Sequence, residues 1–424
     1  MALRISVDHV IESFRREFGR EPEVVASAPA RLDLLNTHQD YKGLPVVGAA
    51  ISLRCYVAVA RSRTGLVEVV SENFKREGKF HRDVFNPVDP EIIPNWFGTY
   101  FRALYVAMSR KLGYYPPPAE ILVFSEVPMG SGLGSSAAIE VATALALSRL
   151  WGLELGLGDI AEVSYVAEHD VARVPCGRLD QYTSAFGGIA IVRTKPPYGV
   201  ERLSPVEGVF IAIDSGERHS TAEIHFARQR ELEEGLRQLL SMGLPARVRE
   251  LLSESIYETR WEELREEDLE PYLSRLSDAS RKRILYTIRC HRSTAATLRV
   301  LKGESIDVEE LARALGIDAE RARRILESPR RRLEVLAQAM NYQHALLRDL
   351  YEVSTPRLEE LRGAALRAGA LGCKLSGAGL GGTLAAVADS EESASEVSNA
   401  CLVLGAHMAT PVTLDEGARV EWSR

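Results

Sequence analysis

The amino-acid sequence predicts an α+β fold in two domains, on the order of its elements and on its size. Strand-like runs, helical periodicities and further strand-like runs follow one another in blocks, whereas a doubly wound sheet would alternate strand and helix throughout. With 424 residues and 46% hydrophobic composition, the chain can bury more than one core. The KPPYG segment interrupts the pattern near residue 200, so we expect domains at 1–200 and 201–424.

The first domain begins with a helix and continues as strands. Apolar residues recur on one side of a helix over residues 5–18. β-branched runs broken by glycine and proline predict strands between residues 23 and 71. The elements predicted next are a helix at 95–112, a strand at 119–127, helices at 135–152 and 159–172, and strands at 189–192 and 209–215.

The second domain is predicted to be helical over most of its length. Residues 220–370 carry charges between apolar positions at helical spacing, and we expect a helical insertion at about 240–335. Residues 305–328 show a helix–turn–helix pattern, interpreted as a surface packing module because no basic recognition face accompanies it. The last part of the chain returns to strands in LGCKLSG, TLAAVAD and TPVTL.

Composition argues against several classes of function. The 52 basic and 59 acidic residues give a net charge of −7, which does not favour nucleic-acid binding. The five cysteines are scattered without a CxxC pair, so neither disulfides nor a zinc site is expected. No window approaches the ~20 apolar residues of a membrane span, and the charged N-terminus does not resemble a signal peptide. We therefore expect a cytoplasmic protein without a membrane partner, either a monomer or a homodimer.

A glycine-rich segment between a predicted strand and a predicted helix is the main candidate for a binding site. In VPMGSGLGSSAA, Gly130, Gly132 and Gly134 lack Cβ atoms, so the backbone amides can approach a phosphate closely. The following helix would add its unpaired N–H groups and the positive end of its dipole. Ser135 and Ser136 can supply hydroxyl donors or a metal ligand. The P-loop pattern GxxxxGK[ST] is absent, and a tight connection without a ligand is the alternative.

The same segment resembles the PxxxGLGSSAA phosphate-binding motif of the GHMP kinases. APARLDLLNTHQDYKG at 28–43 resembles the N-terminal signature of galactokinases, and LGCKLSGAGLGG at 371–382 resembles their C-terminal glycine motif. EHDVARVPCGRLDQYTSAFGG at 168–188 is similar to the galactokinase segment that carries the catalytic aspartate. RHSTAEIHFARQRELEE and HALLRDLYEVSTPRLEEL also resemble galactokinase helices. The resemblance implies a two-domain GHMP kinase fold with the active site in the interdomain cleft.

The resemblance implies a kinase that uses ATP and Mg²⁺ to phosphorylate a sugar at its 1-position. Asp180 would accept or orient the proton of the acceptor hydroxyl, and Arg31 would hold Asp180 and neutralise phosphoryl charge. Ser136 and Glu168 match the positions that hold Mg²⁺. Without the family context, Asp180 would be an acid at a helix N-terminus, Arg31 a strand-end arginine and Glu168 a solvated helix residue.

For ATP, the resemblance implies the phosphate loop and one aromatic residue. The loop residues are Gly130, Ser131, Gly132, Leu133, Gly134, Ser135, Ser136 and Ala137. Trp96 resembles the aromatic residue that lines the adenine pocket, although an aromatic at helical spacing also suits a core. The glycines expected to let a second loop approach the phosphates, or simply to form a hairpin, are Gly377, Gly379, Gly381 and Gly382.

The acceptor pocket departs from the galactokinase pattern in two places. The sugar-binding residues that the resemblance implies are Thr37, His38, Asp40, Gly177, Asp180 and His225. Thr37 replaces the family glutamate that binds the C6 hydroxyl, and His225 falls within about one residue of a sugar-contacting tyrosine. Galactose is the expected acceptor, and N-acetylgalactosamine, galacturonate, glucuronate and L-arabinose are the alternatives. Drift compensated by a neighbouring residue or a water is the other explanation of both changes.

Two further functions remain open at this point. One is a sensor that binds sugar and ATP without turnover, against which the retained Arg31, Ser136, Glu168 and Asp180 argue. The other is a GHMP kinase for mevalonate-type alcohols, which the sugar-branch appearance of His38 and the PCGRLDQ segment disfavours.

Overall fold

Two β-sheets with helices packed against them make up the protein. The computed structural model describes residues 5–218 and 221–424. His219 and Ser220 of the RHSTAEIHF segment lie outside the described residues. The predicted α+β class is confirmed, with strands concentrated toward both ends of the chain and helices between them.

The secondary-structure elements have the following bounds. The strands are β1 (Val24–Leu35), β2 (Val46–Arg61), β3 (Val67–Ser71), β4 (Arg82–Phe85), β5 (Ala119–Ser125), β6 (Ile189–Arg193), β7 (Gly199–Leu203), β8 (Val209–Asp214), β9 (Gly372–Ser376), β10 (Thr383–Ala388), β11 (Met408–Val412) and β12 (Arg419–Ser423). The helices are α1 (Val7–Phe18), α2 (Glu72–Arg76), α3 (Thr99–Leu112), α4 (Ser135–Trp151), α5 (Leu157–Val166), α6 (Leu179–Phe186), α7 (Thr221–Leu240), α8 (Ala246–Leu251), α9 (Glu266–Leu273), α10 (Asp278–Leu301), α11 (Val308–Leu315), α12 (Ala319–Glu327), α13 (Arg331–Leu346), α14 (Pro356–Arg367) and α15 (Glu391–Val403). Single π-helical turns follow α5 at Ala167–Val171 and α13 at Leu347–Tyr351.

The larger sheet has the strand order β12-β1-β2-β5-β3-β4, and β6 and β7 extend it from β2. Only the β3–β5 pairing within it is parallel. Strand β1 is buried along its whole length, with α4 and α6 packed against it. Because side chains alternate along a strand, Leu32 and Leu34 enter a hydrophobic core while Arg31 and Asp33 share the opposite face. One strand thus supports both the core and the site described below.

The smaller sheet has the order β11-β8-β10-β9 and is antiparallel throughout. Helices α13, α14 and α15 pack against its strands. After this sheet the chain returns to the larger one, where β12 pairs with β1. The boundary near residue 200 and the insertion at about 240–335 stay predictions.

The helix–turn–helix pattern corresponds to α11 and α12. Leu311 and Leu315 on α11 and Ala322 and Ile325 on α12 are buried in the core that α13 also lines. The apolar spacing of both helices is therefore used for packing, as the interpretation of a surface module requires.

Several elements were missed by periodicity. The serine-rich α15 was not predicted, although Ser390 caps it by accepting a hydrogen bond from the Ser393 amide. Strands β4, β7 and β12 are short and carry charged residues, so their alternation is weak. None of the described helices is long and apolar enough to cross a membrane.

Candidate active site

A cavity of about 310 Å³ is enclosed by β1, the loop before α4, the segment before α6 and the loop between β9 and β10. The predicted site residues that line it are Arg31, Thr37, His38, Asp40, Gly130, Gly132, Gly134, Ser135, Ser136, Glu168, Gly177, Asp180, His225 and Gly377. Residues from widely separated parts of the sequence therefore meet at one place. Their individual roles stay predictions, and their geometry decides what they can do.

Arg31 and Asp180 form a bidentate ion pair at the centre of the cavity. The Arg31 Nε and Nη2 atoms donate to the two Asp180 oxygens at 2.8 and 2.6 Å, and Nη1 donates to the Gly132 carbonyl at 2.6 Å. Arg31 is almost fully buried, whereas the Asp180 side chain keeps 28% of its surface exposed. Two parallel hydrogen bonds fix the plane of the carboxylate. Asp180 is thus oriented, and it remains accessible to a ligand.

The phosphate loop lies against this pair. Gly134 has φ +75° at the start of α4, and a Cβ there would come within 3.4 Å of both Asp180 and Arg31. Ser135 and Ser136, the first two residues of α4, line the cavity. An anion placed there would meet unpaired helix amides and the Arg31 guanidinium. The geometry of the loop is therefore compatible with a phosphate next to the Arg31–Asp180 pair.

The C-terminal glycine loop packs directly on the phosphate loop. A Cβ on Gly382 would lie 2.9 Å from the Ser131 carbonyl oxygen, and one on Gly132 would lie 3.0 Å from the Ser376 carbonyl oxygen. Thr383 Oγ1 also donates to the Ser131 carbonyl at 2.7 Å. The two loops can approach so closely because Gly132 and Gly382 have no Cβ atoms at the contact.

Four residues expected to bind ATP do not line this cavity. Ser131 turns its hydroxyl to the Pro128 carbonyl, and the side chains of Leu133 and Ala137 are in the core. Trp96 packs against Phe80 and Phe97. A side chain of the phosphate loop that points inward can still contribute its backbone amide.

A second, smaller cavity of about 110 Å³ adjoins the first, and both are lined by Tyr100, Gly130, Ser135 and Ser136. Its other walls are largely apolar and include Phe74, Phe97, Phe101, Met129 and Ile139. A flat heterocycle suits such walls. Phe97, the neighbour of Trp96 in sequence, lines it in the place where the sequence pointed to Trp96.

Glu168 occupies the π-helical turn after α5, which carries it toward Ser136. Burial raises the pKa of Glu168 to about 7, and the nearby Asp180 charge adds to this, while hydrogen bonds from Ser136 and Gln181 oppose it. Gln181 donates to Glu168 at 2.6 Å. Both Glu140 oxygens are buried without a partner in hydrogen-bond geometry among the residues described.

These residues fit Mg²⁺. The donors are oxygen atoms only. Burial and mutual repulsion raise the pKa of Glu140 and of Glu168 beside Asp180, and a bound cation would favour their ionised forms. In the described part of the chain, no group of three or more His, Cys, Asp and Glu side chains is placed to hold a metal by itself. A site of this kind suits an ion that takes most of its ligands from water and nucleotide phosphates.

Asp40 depends on the absence of a side chain at Gly177. A Cβ on Gly177 would lie 2.0 Å from the Asp40 carboxyl group. The backbone amides of Tyr41 and Leu179 point to the Asp40 oxygens at 3.1 and 3.4 Å. Burial, and then the charge of Asp180, raise the pKa of Asp40 to about 6. Gly177 therefore creates the space in which Asp40 reaches the cavity.

His38 lines the cavity with both ring nitrogens already bonded to protein. Its Nε2 lies 2.9 Å from the Ala378 carbonyl, which can only accept, so Nε2 carries the proton. Burial and the neighbouring His225 lower the pKa of His38 well below its usual range, so the ring is neutral. The His38 Nδ1 then accepts from Tyr41 Oη at 3.0 Å, and Tyr41 Oη in turn accepts from Tyr351 Oη at 2.8 Å.

His225 faces His38, with 4.9 Å between the ring centroids. Burial lowers the pKa of His225 to about 4, and its Nδ1 is buried without a hydrogen-bond partner among the described residues. A neutral imidazole with an unused nitrogen can bind a sugar hydroxyl. This geometry supports the position chosen from the sequence.

The sequence analysis missed three charged residues at or near the cavity. Asp33 lines the cavity beside Thr37, and Lys374 lies behind both. Arg218 is held by two 2.7 Å hydrogen bonds to buried Asp214, and its Cδ lies 3.3 Å from where a Gly130 Cβ would be. Arg218 thus brings positive charge to the phosphate loop. Strand alternation from Arg31 was a signal for Asp33, whereas the other two contacts depend on tertiary structure.

Comparisons with known proteins agree with this geometry. Three family models match: the galactokinase galactose-binding signature at residues 12–61, the GHMP kinases N terminal domain at 99–188 and the GHMP kinases C terminal at 304–402. Human galactokinase is 31% identical over 385 residues, covering 87% of this chain and 85% of that protein. The chain belongs to the galactokinase family. As a member, it is a phosphotransferase of the GHMP kinase superfamily that uses ATP.

Two other relatives widen the comparison. A mevalonate kinase of Thermococcus onnurineus is 29% identical over 415 residues, covering 94% of this chain and 98% of that protein. The crystal structure of Lactococcus lactis galactokinase complexed with galactose superposes with a TM-score of 0.78 at 21% identity, covering 97% of this chain and 99% of that one. The two-domain GHMP kinase fold expected for the galactokinase family is confirmed.

Proposed function

We propose that the protein transfers the γ-phosphate of ATP to the 1-hydroxyl of galactose, giving α-galactose 1-phosphate and ADP. The observation that supports this most directly is the Arg31–Asp180 pair, which lies against Gly134 and opens into the cavity that Asp40 lines. A phosphate on the loop and a hydroxyl beside Asp180 would be neighbours there. This juxtaposition is what phosphoryl transfer requires.

Each residue contributes to positioning or to charge. Asp180 accepts the proton of the attacking hydroxyl, and Arg31 holds the Asp180 carboxylate in the plane that points toward that proton. The Arg31 guanidinium and the first amides of α4 lie where negative charge builds up on the transferring group. Asp40 and His225 offer acceptors to the sugar hydroxyls.

Ser136 and Glu168 would hold Mg²⁺. When bound, the ion would neutralise charge on the phosphate oxygens of ATP. The hydrogen bond from Gln181 at 2.6 Å would help to orient Glu168 for this role. The adenine ring would lie in the apolar cavity lined by Phe74 and Phe97.

The test is a substrate panel. Purified protein is incubated with MgATP and one acceptor at a time: galactose, N-acetylgalactosamine, galacturonate, glucuronate, L-arabinose, glucose or mevalonate. ADP release is followed, and the phosphorylated carbon is identified by NMR. We expect the highest kcat/KM for galactose, with phosphate on C1. A tenfold preference for any other acceptor, or binding of galactose and ATP without ADP release, would replace this proposal.

Three broader expectations also stay proposals. We infer a cytoplasmic location, which suits the five free cysteines in the described residues. The chain is expected to be a monomer or a homodimer, and light scattering at several concentrations decides between them. A domain boundary near residue 200 is tested by limited proteolysis.

A further inference from the structure

The acceptor end of the cavity contains a carboxylate with no assigned role. Asp33 follows Arg31 by two positions on β1 and lines the same cavity. The Asp33 Oδ1 accepts a hydrogen bond from Thr37 Oγ1 at 3.0 Å, and the Asp33 amide donates to Ser376 Oγ at 2.9 Å. No side chain or amide in the described ranges, 5–218 and 221–424, forms a hydrogen bond with the other oxygen, Oδ2. Asp33 Oδ1 is therefore hydrogen-bonded, and Oδ2 is available to a ligand.

Thr37 and Lys374 support Asp33 through a hydrogen bond and an ion pair. The Lys374 Nζ donates to Thr37 Oγ1 and, at 2.8 Å, to the Leu375 carbonyl. It also forms an ion pair with Asp33, with 3.6 Å between Nζ and Oδ1. The Lys374 side chain has no exposed surface and does not line the cavity. Thr37 donates to Asp33 and accepts from Lys374, so its hydroxyl is occupied too.

We propose that Asp33 binds the C6 hydroxyl of the sugar, in place of the glutamate that galactokinases carry where this chain has Thr37. The carboxylate would then lie four positions earlier in the sequence, near the end of β1, and Thr37 supports it by a hydrogen bond. The inference rests on the proposed function, because it names the group that selects the acceptor of that reaction.

The same contacts exclude uronic acids. A sugar with a carboxylate at C6 would place a second negative charge beside Asp33. Lys374 is buried behind Asp33, does not line the cavity and is already paired with Asp33, so it does not offset that charge. Asp33 offers no proton in its ionised form. The loss of the glutamate at position 37 therefore does not open the pocket to galacturonate or glucuronate. A neutral acceptor with a free C6 hydroxyl is selected.

The wild-type protein tests this first, by the kcat/KM values of galactose, 6-deoxygalactose and galacturonate. We expect galactose to exceed 6-deoxygalactose about tenfold to a hundredfold, because the analogue leaves a buried carboxylate oxygen unpaired. Galacturonate is expected to be poorer still. Equal kcat/KM values for galactose and 6-deoxygalactose, or a higher kcat/KM for galacturonate, would overturn the inference about Asp33. The protein would still be a sugar kinase. If no sugar is phosphorylated, both the proposed function and the inference fail.

The variants then locate the effect. Asp33→Asn is expected to lower kcat/KM for galactose about tenfold or more, mainly by raising KM. The kcat/KM for 6-deoxygalactose is expected to change less than threefold. The double variant Asp33→Asn/Thr37→Glu places a carboxylate at the usual family position and is expected to restore the preference for the C6 hydroxyl. If the single variant folds poorly because Lys374 loses its ion pair, Asp33→Asn/Lys374→Met removes both charges and is expected to lose the preference in the same way.

Two results contradict the assignment. An unchanged ratio of galactose to 6-deoxygalactose in Asp33→Asn would show that Asp33 does not contact the C6 hydroxyl. A ratio that falls in the single variant and is not raised by Thr37→Glu would show that Asp33 is not a substitute for the glutamate. Thermal melting of each variant accompanies the kinetics, so that loss of fold is not read as loss of selectivity.

Discussion

The orientation of Asp180 depends on a single neighbouring side chain. Arg31 donates two hydrogen bonds to Asp180 and a third to the Gly132 carbonyl, so the same guanidinium links the carboxylate to the phosphate loop. A lysine in its place would carry the same charge without the planar fork. Geometry and charge can therefore be separated experimentally at this pair.

Asp180→Asn is expected to lower kcat by roughly 10²- to 10⁴-fold, because an amide cannot accept the proton of the attacking hydroxyl. Steady-state kinetics with MgATP and galactose measure the loss, and circular dichroism checks the fold. Asp170→Asn is the matched control, since Asp170 is an exposed acid on the same segment and does not line the cavity. A kcat within threefold of wild type for Asp180→Asn would remove this residue from the mechanism.

Arg31→Lys is expected to reduce kcat by more than tenfold while the KM for ATP changes less. The ammonium keeps a positive charge near the phosphates but cannot make the two parallel hydrogen bonds that orient Asp180. If kcat is retained, the positive charge alone accounts for the function of Arg31, and orientation of Asp180 is not needed.

Asp40→Asn is expected to make the protein more stable and a worse enzyme. Burial raises the folded-state pKa of Asp40 to about 6 from its ordinary value of 3.8, so the ionised carboxylate opposes folding at neutral pH. Removing the charge should raise the melting temperature at pH 7 to 8. This advantage should shrink as the pH falls from about 6 toward 4, because wild-type Asp40 then takes up its proton in the folded state. If the melting temperature of Asp40→Asn at pH 8 is not above that of the wild type, the ionised Asp40 carboxylate does not destabilise the fold.

At the scale of elements, the site depends on backbone segments that meet without side chains. Gly177 leaves space for Asp40, and Gly382 allows the loop after β9 to touch the phosphate loop. The β8–α7 segment holds Gly382 in place through hydrogen bonds from the Ser215 amide to the Gly382 carbonyl and from the Gly382 amide to the Glu217 carbonyl. Substitutions at the two glycines should therefore affect different substrates.

Gly177→Ala is expected to raise the KM for galactose at least tenfold with a small effect on the KM for ATP, because the new Cβ would overlap the Asp40 carboxyl group. Gly158→Ala on α5 is the control, since a Cβ there meets nothing within 4 Å. Separate titrations of sugar and ATP give both constants. An equal rise in the two would indicate a general distortion instead of a displaced Asp40.

The sequence allowed prediction of those site residues that lie within a short, recognisable motif. The phosphate loop, Asp180 and Arg31 were found because each lies in a recognisable motif, and β1 and α4 are long, largely apolar runs. It was uninformative where function depends on contacts between distant segments. Lys374 meets Thr37 across 337 residues, and the two nitrogens of His38 are occupied by Tyr41 and Ala378. Phe97 instead of Trp96 faces the apolar cavity because α3 begins at Thr99 and leaves that pair in an irregular segment.

At the scale of the whole molecule, the ends of the chain are joined through the larger sheet. Arg54 on β2 is almost fully buried and forms an ion pair with Asp415, which lies just before β12. It also donates to the Ser27 hydroxyl at 2.9 Å and to the Gly417 carbonyl at 3.0 Å. The segment that leads into β12 is thus attached to the first sheet by a charge inside the protein.

Asp415→Ala is expected to lower the free energy of unfolding by about 3 kcal/mol, since it leaves a buried guanidinium without its nearest carboxylate. Glu421, 3.7 Å from Arg54, keeps the loss at the lower end of the usual range. Asp389→Ala is the control, because its pairing with Arg330 is largely exposed and should cost less than about 1 kcal/mol. Urea denaturation measures the free energy of unfolding of each variant. Equal denaturation midpoints for Asp415→Ala and Asp389→Ala would contradict the prediction.

The pairing of β12 with β1 has a consequence for synthesis on the ribosome. Ser27 on β1 and its hydrogen-bond partner Glu421 on β12 are 394 residues apart. At about 5–20 residues per second, translation needs about 20–80 s to produce the second after the first. Throughout that interval one edge of β1 has no strand beside it, and an unpaired edge invites association with other chains. Nascent chains stalled before residue 419 should therefore bind chaperones longer than chains in which β12 has been synthesised and has left the ribosome.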